Sequence, residues 1–348
     1  MRIAFRGLAA LLTGGALIIT AGSSIAQAST TTTTTTVPRA FVPGPGTRSG
    51  MVAVSPSRSM YLECRGRGSP TVVLVPGLVA AADTWSYVTN AAGASRPSPN
   101  AVYPRVGTFT RVCSYDRPGT ARENGTLTPS TPVAQPTTPA SDAADLHALL
   151  TAARVRGPYV LVGWSFGGPI ARLYASTYPQ DAGLVLVDGT SEYLQSALSP
   201  ADFAIFLKLT QRDDAQRVAQ WKDVEQFDPA VAFAQLRAAP PVPRMPVVVL
   251  SANQYDAKAF GARLPPGTPT NYPQVFWRAQ VSSQDSLAKL FPGAIHVTDT
   301  KSSHNIQNHQ PQLVVKWVRD VVHKVRQNRP SPGFGSALSP RSAWPSSG

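Results

Sequence analysis

Short, continuously hydrophobic runs recur along the chain and are separated by longer amphipathic stretches. Runs of four or five apolar residues bounded by Gly, Pro or Asp are typical of strands buried on both faces of a sheet. The pattern predicts strands at residues 51–54, 60–64, 71–75, 111–115, 159–162, 183–187, 247–250 and 294–298. It predicts helices near residues 83–85 and at 141–155, 169–175, 275–290 and 311–326. This alternation favours an α/β fold with a mostly parallel sheet and helices on both faces.

One long segment interrupts the alternation of strands and helices. Residues 191–239 have an amphipathic, helical pattern, contain several Phe and Trp residues, and end at a Pro-rich breaker. The whole chain has 348 residues and is 43% hydrophobic, which is enough for one large core. We therefore expect a single folded domain over residues 51–327 that contains this helical segment.

The two ends of the chain differ in composition from the predicted domain. Arg2 and Arg6 precede an apolar run that is shorter than the ~20 residues of a membrane span, and an A-x-A cleavage motif ends at Ala28. Residues 1–28 are thus predicted to be a signal peptide, and the mature protein to be secreted or extracytoplasmic. Residues 29–50, rich in Thr, Pro and Gly, and residues 328–348, rich in Pro and Ser, are predicted to be a disordered linker and tail.

Cysteine content and charge bear on the compartment and the partners. In an oxidising compartment the two cysteines, Cys64 and Cys113, favour one disulfide over two isolated thiols. The formal net charge is +13, but the Lys and Arg residues are scattered and form no basic run. We expect a monomer that associates loosely with acidic cell-envelope polymers and binds no nucleic acid.

The strongest candidate for chemistry is a serine between two glycines. The sequence Gly163-Trp164-Ser165-Phe166-Gly167 follows the predicted strand at 159–162 and precedes the predicted helix at 169–175. A G-x-S-x-G sequence between a strand and a helix is typical of a nucleophile elbow, a tight turn that exposes the serine hydroxyl at the edge of a sheet. Ser165 is therefore the predicted nucleophile.

A serine nucleophile needs a histidine base, and the chain has five histidines. His147 and His323 fall within predicted helices and His296 within a predicted strand, so each is assigned a structural role. His304 follows the last predicted strand, at the sheet edge where Ser165 is expected. His309 is a rival that lies nearer the start of the next helix. His304 is the predicted general base.

A carboxylate normally orients such a histidine. Asp188 and Asp256 both follow predicted strands and both keep the chain order Ser, Asp, His. We slightly favour Asp256 as the catalytic acid, with Asp188 as the alternative and Asp299 as a more distant one.

Acyl transfer also needs N–H donors for the oxyanion, and the amide of Phe166, next to the nucleophile, is one of them. The second donor is expected in the loop after the strand at 71–75, and Leu78 is our choice because Gly77 permits a close backbone approach. No histidine pair has metal-ligand spacing and no Gly-rich phosphate loop is present. We expect no metal and no cofactor.

Four segments together resemble the α/β-hydrolase superfamily over roughly residues 51–325. They are Val73-Leu74-Val75-Pro76-Gly77, Tyr115-Asp116-Arg117-Pro118-Gly119, Gly163-Trp164-Ser165-Phe166-Gly167-Gly168, and His304 in its loop before Gln310-Pro311. The resemblance implies an eight-stranded, mostly parallel sheet, a Ser–His–acid triad, and a cap inserted after the sixth strand, where residues 191–239 fit. It also implies that the strand of Cys64 lies beside that of Cys113. Pro76-Gly77 stands where many members have His-Gly, and Asp256 is about one residue later than the usual acid.

The residue at the elbow narrows the reaction. Dehalogenases and epoxide hydrolases on the resembling fold use an aspartate there, whereas Ser165 indicates attack on an acyl carbonyl. The leading hypothesis is a secreted serine hydrolase that cleaves carboxylic esters of a small molecule through an acyl-enzyme. A peptidase or amidase on the same triad, and a hydrolase-fold protein that only binds a ligand, are the alternatives. The aromatic residues of 191–239 either line the entrance for an apolar group or pack that segment onto the core.

Overall fold

A sheet of eight strands runs through the part of the chain that the computed structural model describes, residues 48–178, 181–255, 257–262 and 264–328. The strands are β1 (Arg48–Ser55), β2 (Arg58–Arg65), β3 (Thr71–Val75), β6 (Val112–Asp116), β7 (Tyr159–Trp164), β8 (Asp181–Val187), β9 (Val247–Leu250) and β10 (Ile295–Val297). Their spatial order is β1-β2-β6-β3-β7-β8-β9-β10. The pairs β1–β2 and β2–β6 are antiparallel and all other neighbours are parallel. The predicted eight-stranded, mostly parallel sheet is confirmed.

Helices cover both faces of this sheet. They are α1 (Val102–Val106), α2 (Pro139–Ala152), α3 (Gly167–Thr177), α4 (Tyr193–Ala197), α5 (Pro200–Gln220), α6 (Pro229–Ala238), α7 (Ala257–Gly261), α8 (Tyr272–Lys289), α9 (Ile306–His309) and α10 (Pro311–Gln327), with a 3-10 turn at Ala82–Ser86. One core joins α2, α3 and α8 to the sheet, and a second joins α1 and α10 to the opposite face. Helix α10 illustrates the cause, because its buried valines recur with the helical period: Val314, Val315, Val318, Val321, Val322 and Val325.

The helical segment predicted at residues 191–239 consists of α4, α5 and α6. It lies between β8 and β9, and β8 is the sixth strand of the large sheet in chain order. Its phenylalanines Phe203, Phe206 and Phe233 are buried in the core that also contains α3. These three side chains therefore pack the segment onto the domain. We call residues 191–239 the cap.

Some elements differ from the sequence prediction. Strand β1 begins at Arg48, within the predicted linker, because Arg48, Ser49 and Gly50 continue the pairing with β2 although none of the three is apolar. The two-stranded sheet of β4 (Tyr87–Thr89) and β5 (Ser95–Pro97) and the short helices α1, α7 and α9 were not predicted. The predicted signal peptide, most of the linker and all but the first residue of the tail lie outside the described residues.

Cys64 and Cys113 form a disulfide between β2 and β6, where they are directly opposite each other. Both side chains are buried. The pairing expected from the sequence is therefore present in the structure.

Among the described residues, no helix combines the length and the apolar character that crossing a membrane would require.

Candidate active site

Ser165 occupies a tight turn between β7 and α3. Its φ is +54°, in the left-handed region that costs a non-glycine residue on the order of 1 kcal/mol. Hydrogen bonds hold the turn: the Ser165 N–H donates to the Val187 carbonyl at 3.1 Å, and the Ser165 carbonyl accepts from the N–H groups of Gly168 and Thr190, each at 2.9 Å. The turn thus has the strained geometry that a nucleophile elbow requires.

Gly167 allows the elbow to approach the neighbouring strand. A Cβ built on Gly167 would overlap with the carbonyl oxygen of Val75, the last residue of β3, and would lie 2.7 Å from the carbonyl oxygen of Pro76. Any side chain at position 167 would therefore push α3 away from the sheet. The requirement for glycine is steric here, because the φ of Gly167 is not in the left-handed region.

His304 contacts Asp188. The His304 Nδ1 lies 2.5 Å from the Asp188 Oδ2, while the Asp188 Oδ1 accepts a hydrogen bond from the Ala252 N–H at 3.0 Å. Asp188 directly follows β8 and is almost completely buried. With Nδ1 donating to the carboxylate, Nε2 carries the lone pair that a general base needs. This Nε2 is buried and has no hydrogen-bond partner among the described residues.

Trp164 links His304 to the elbow. Its indole Nε1–H donates to the backbone carbonyl of His304 at 3.0 Å, and the two rings have their centroids 5.7 Å apart. Since Trp164 directly precedes Ser165, this contact connects the turn that presents the serine to the loop that carries His304. We call this loop, between β10 and α9, the histidine loop. Ser165, Asp188 and His304 all follow carboxyl ends of parallel strands, so they lie at one edge of the sheet.

The other candidate bases and acids occupy different surroundings. His309 ends α9, and its Nδ1 lies 3.3 Å from the hydroxyls of both Ser302 and Ser303. Asp299 is exposed and accepts from the Asn253 side chain at 3.3 Å. Asp256, the acid that the sequence slightly favoured, lies outside the described residues. Within the described residues, Asp188 is the carboxylate in contact with His304.

The three remaining histidines lie in the two helices and the strand that the sequence predicted. His147, in α2, stacks on Tyr178 with a centroid separation of 3.9 Å. His296, in β10, has its Nε2 2.8 Å from the Ser251 hydroxyl, and burial lowers the pKa of its imidazole. His323 lies in α10.

The loop after β3 lies against the elbow, as predicted for an oxyanion loop. A Cβ built on Gly77 would be 3.2 Å from the Ser165 Cβ and 2.9 Å from the Trp164 ring. The backbone N–H groups of Leu78 and Phe166 have no acceptor among the described residues. Both residues are buried, with Phe166 at the start of α3. An oxyanion site would use two such amides, and these belong to the residue after Ser165 and the residue after Gly77.

Two residues at this loop were missed by the sequence analysis. Arg117 and Glu225 form a buried ion pair that contacts the backbone of residues 76–79. Arg117 stands in one of the four segments that carry the family resemblance, which was its only signal. Glu225 comes from the cap, and nothing in its local sequence distinguishes it from the other acidic residues.

The cap reaches the elbow through aromatic contacts. The Phe227 ring meets the Phe166 ring edge-on at a centroid distance of 5.2 Å and meets the Phe233 ring at 6.4 Å. Phe227 is partly exposed, unlike Phe233. The cap therefore places an apolar surface next to the residue that follows Ser165.

Several carboxyls interact near the 3-10 turn Ala82–Ser86, which follows the oxyanion loop. Burial raises the pKa of Glu63 to about 7 and that of Asp83 to about 6. Burial, followed by the charge of Asp83, raises the pKa of Glu123 to about 7. Asp116, which is completely buried, accepts from the Ala82 N–H at 2.8 Å and from Arg122 at 2.7 Å.

Among the described residues, no group of three or more His, Cys, Asp or Glu side chains has an arrangement that could hold a metal ion.

Comparison with known proteins identifies the family. The model of the alpha/beta hydrolase family matches residues 72–325. The chain belongs to the α/β-hydrolase family. The match spans β3, the elbow, the cap and the histidine loop, so it includes every element of the candidate site.

Solved structures share the fold at low sequence identity. A candidate lipase (lip1) from Acinetobacter baumannii AYE is 20% identical with a TM-score of 0.52, and the match covers 82% of this chain and 93% of that one. A candidate aryl esterase from Burkholderia cenocepacia is 18% identical with a TM-score of 0.50, covering 80% of this chain and 100% of that one. Est816, an N-acyl homoserine lactone degrading enzyme, is 18% identical with a TM-score of 0.50, covering 78% and 100%. Curated protein sequences give no match.

Proposed function

We propose that this α/β-hydrolase cleaves carboxylic esters through an acyl-enzyme on Ser165, with His304 as general base and Asp188 as the acid. The observation that carries the proposal is the 2.5 Å contact between Asp188 and His304 beside the elbow. It leaves the other imidazole nitrogen buried and without a partner among the described residues. The proposal therefore takes Asp188, the alternative acid of the sequence analysis, in place of Asp256.

In the proposed mechanism the Ser165 hydroxyl attacks the acyl carbonyl while His304 Nε2 accepts its proton. The carbonyl oxygen becomes an oxyanion, which the N–H groups of Phe166 and Leu78 stabilise. The tetrahedral intermediate collapses, the imidazolium gives its proton to the leaving alcohol, and the acyl group stays on Ser165. Water, deprotonated by His304, then attacks the acyl-enzyme and releases the acid. Asp188 holds the imidazole in the required tautomer and stays ionised throughout.

An ester with an apolar group is the proposed substrate class. The edge-on contact of Phe227 with Phe166 supports an apolar binding surface beside the nucleophile. The similarity in fold to proteins named for lipase, aryl esterase and lactone-degrading activity is consistent with an ester or lactone carbonyl.

Labelling with a fluorophosphonate probe tests the nucleophile. We expect the purified protein to be labelled and both Ser165→Ala and His304→Ala to lose labelling. His309→Ala is the matched control because it alters the other histidine between β10 and α10, which contacts Ser302 and Ser303. Folded wild-type protein that is not labelled, or labelling that survives Ser165→Ala, would overturn the proposal.

The relative rates of ester and anilide hydrolysis distinguish an esterase from a peptidase or amidase with the same triad. We expect p-nitrophenyl esters to be hydrolysed at least a hundredfold faster, in kcat/KM, than aminoacyl p-nitroanilides. A preference for the anilides would indicate a peptidase or amidase. Ligand binding that persists in Ser165→Ala, with no turnover by the wild type, would indicate a binding protein.

Export from the cytoplasm is also part of the proposal. The disulfide between Cys64 and Cys113 supports an oxidising compartment, and Ala26-Gln27-Ala28 supplies the cleavage motif. N-terminal sequencing of protein recovered outside the cytoplasm should begin at Ser29. Recovery of the chain from the cytoplasm with its first residues intact would contradict export.

A further inference from the structure

Arg117 and Glu225 form an ion pair inside the domain. Arg117 follows β6, and Glu225 lies in the cap between α5 and α6. The Arg117 Nε donates to the Glu225 Oε1 at 2.6 Å and its Nη2 donates to Oε2 at 3.0 Å, with side chains 1% and 0% exposed. The bidentate geometry gives both charged groups hydrogen-bond partners at a place that water does not reach.

The same pair contacts the oxyanion loop on both sides of Leu78. Arg117 Nη1 donates to the Pro76 carbonyl at 2.8 Å and Nη2 donates to the Gly77 carbonyl at 2.6 Å. The Glu225 Oε2 accepts from the Val79 N–H at 2.5 Å. The peptide groups before and after the Leu78 Cα are therefore each held by one partner of the ion pair.

The contact with Gly77 acts directly on the Leu78 amide. The Gly77 carbonyl and the Leu78 N–H belong to one planar peptide group, so fixing the direction of the carbonyl also fixes the direction of the N–H. A cationic donor on the carbonyl oxygen also polarises the peptide, which makes its N–H a stronger donor. Arg117 can thus both orient the Leu78 amide and make it a stronger donor.

We propose that Arg117 and Glu225 are positioning residues for the oxyanion donor Leu78, and that the cap completes the oxyanion site through Glu225. The proposal rests on the function proposed above. Neither residue touches the substrate; both act through the backbone of residues 76–79. A second contact holds the cap segment in place, since the Glu225 N–H donates to the Gly119 carbonyl at 2.9 Å.

Stability alone is a weak explanation for this pair. Burying two charges costs most of what their attraction returns, and an apolar replacement is often as stable. The chain also contains a second pair of the same kind, Arg172 with Glu192, at 2.6 and 3.0 Å and 6% exposed on each side. Among the described contacts, that pair makes none with residues 76–79. It is therefore a matched control for the loss of a buried ion pair.

The experiment compares Arg117→Lys and Glu225→Gln with Arg172→Lys and Glu192→Gln. We expect the first two variants to lose about 10- to 100-fold in kcat on a p-nitrophenyl ester with KM within threefold, because the donor acts on the transition state. The control variants should keep kcat within threefold of wild type, even where their melting temperatures fall as far as those of Arg117→Lys and Glu225→Gln. Equal losses of kcat in both sets would mean that the effect is general destabilisation and would overturn the proposal.

A spectroscopic readout keeps the test independent of ester turnover. Protein labelled with ¹³C-carbonyl Gly and ¹⁵N-Leu and beginning at Ser29 gives amide resonances from Gly77-Leu78 and Gly183-Leu184, the two Gly–Leu pairs of the sequence after residue 28. The Leu78 resonance, identified by its loss in Leu78→Ile, should shift in Arg117→Lys and Glu225→Gln and stay in place in the control variants. An unshifted Leu78 resonance in both folded variants would refute the positioning role. If the wild type neither turns over esters nor reacts with the fluorophosphonate, the proposed function fails, while this shift still decides the role of the pair.

Discussion

Asp188 and His304 approach to 2.5 Å although 116 residues separate them, because β8 and β10 both end at the same edge of the sheet. The Asp188 backbone N–H is bound to the Leu250 carbonyl at 2.7 Å, and its Oδ1 to the Ala252 N–H at 3.0 Å. These bonds fix the carboxylate that would hold the His304 tautomer.

Replacing Asp188 by Asn should therefore abolish most of the activity. Asparagine has nearly the shape of aspartate but favours the wrong tautomer of the histidine. The same change in a serine protease triad lowers kcat by about 10⁴-fold. We expect at least a 10³-fold fall in kcat for Asp188→Asn, measured on a p-nitrophenyl ester. Asp256→Asn is the control and should stay within a few-fold of wild type. The reverse ranking of the two variants would make Asp256 the acid.

The sequence singles out Ser165 and His304 as candidates but does not decide between the two candidate acids. A nucleophile elbow has a local signature, since the glycines and the flanking strand and helix lie within a few residues. A carboxylate after a strand has no such signature, and Asp188 and Asp256 satisfy the chain order equally well. The contact of Asp188 with His304 is a tertiary one, which sequence spacing does not encode.

The positive φ of Ser165 predicts a difference in stability between glycine and alanine at this position. Its φ of +54° is unfavourable for alanine and acceptable for glycine. We expect Ser165→Gly to be more stable than Ser165→Ala by about 1 kcal/mol in urea unfolding, with both variants inactive. The same pair of substitutions at Ser282, an exposed position in α8, should give the opposite sign because glycine weakens a helix. Equal stability of the two Ser165 variants would argue against a strained elbow.

Long buried elements were predicted well, and elements set by tertiary contacts were not. The valine-rich strands and α10 carry hydrophobic periods that identify them without neighbours. By contrast, Arg48–Gly50 form strand only because β2 offers a partner, and the three-residue strands β4 and β5 have no apolar run. The Arg117–Glu225 pair belongs to the second kind, because it joins residues 108 apart in the sequence.

The disulfide should contribute strongly to stability. Cys64 and Cys113 are 49 residues apart, and closing a loop of that length in the unfolded chain corresponds to about 4 kcal/mol in the chain-entropy model. We expect reduction to lower the free energy of unfolding by 2–5 kcal/mol, measured in urea with and without a reductant. The Cys64→Ala/Cys113→Ala double variant should match the reduced protein and show no response to the reductant. A wild type unaffected by reduction would contradict this expectation.

The partly buried carboxyls near the 3-10 turn after the oxyanion loop should make stability fall as the pH rises. Burial raises the pKa of Glu63 to about 7, of Asp83 to about 6 and, with the charge of Asp83, of Glu123 to about 7. A carboxyl whose pKa is higher in the folded state stabilises the protein fully below its unfolded pKa, near 4, and loses that contribution as the pH passes its folded pKa. These groups should thus lower the free energy of unfolding between pH 5 and pH 8, although Arg122 opposes the effect at Glu63 and Asp83.

Glu63→Gln tests this dependence at one group. Glutamine can still accept from the Tyr61 hydroxyl, which lies 3.2 Å from the Glu63 Oε2, but it carries no titrating proton. The difference in unfolding free energy between pH 5 and pH 8 should shrink by on the order of 1 kcal/mol relative to wild type, measured by urea unfolding at both pH values. Asp223→Asn, which alters an exposed carboxylate, is the control and should leave that difference unchanged. A Glu63→Gln variant with the wild-type pH dependence would show that Glu63 ionises in the folded protein as it does in the unfolded chain.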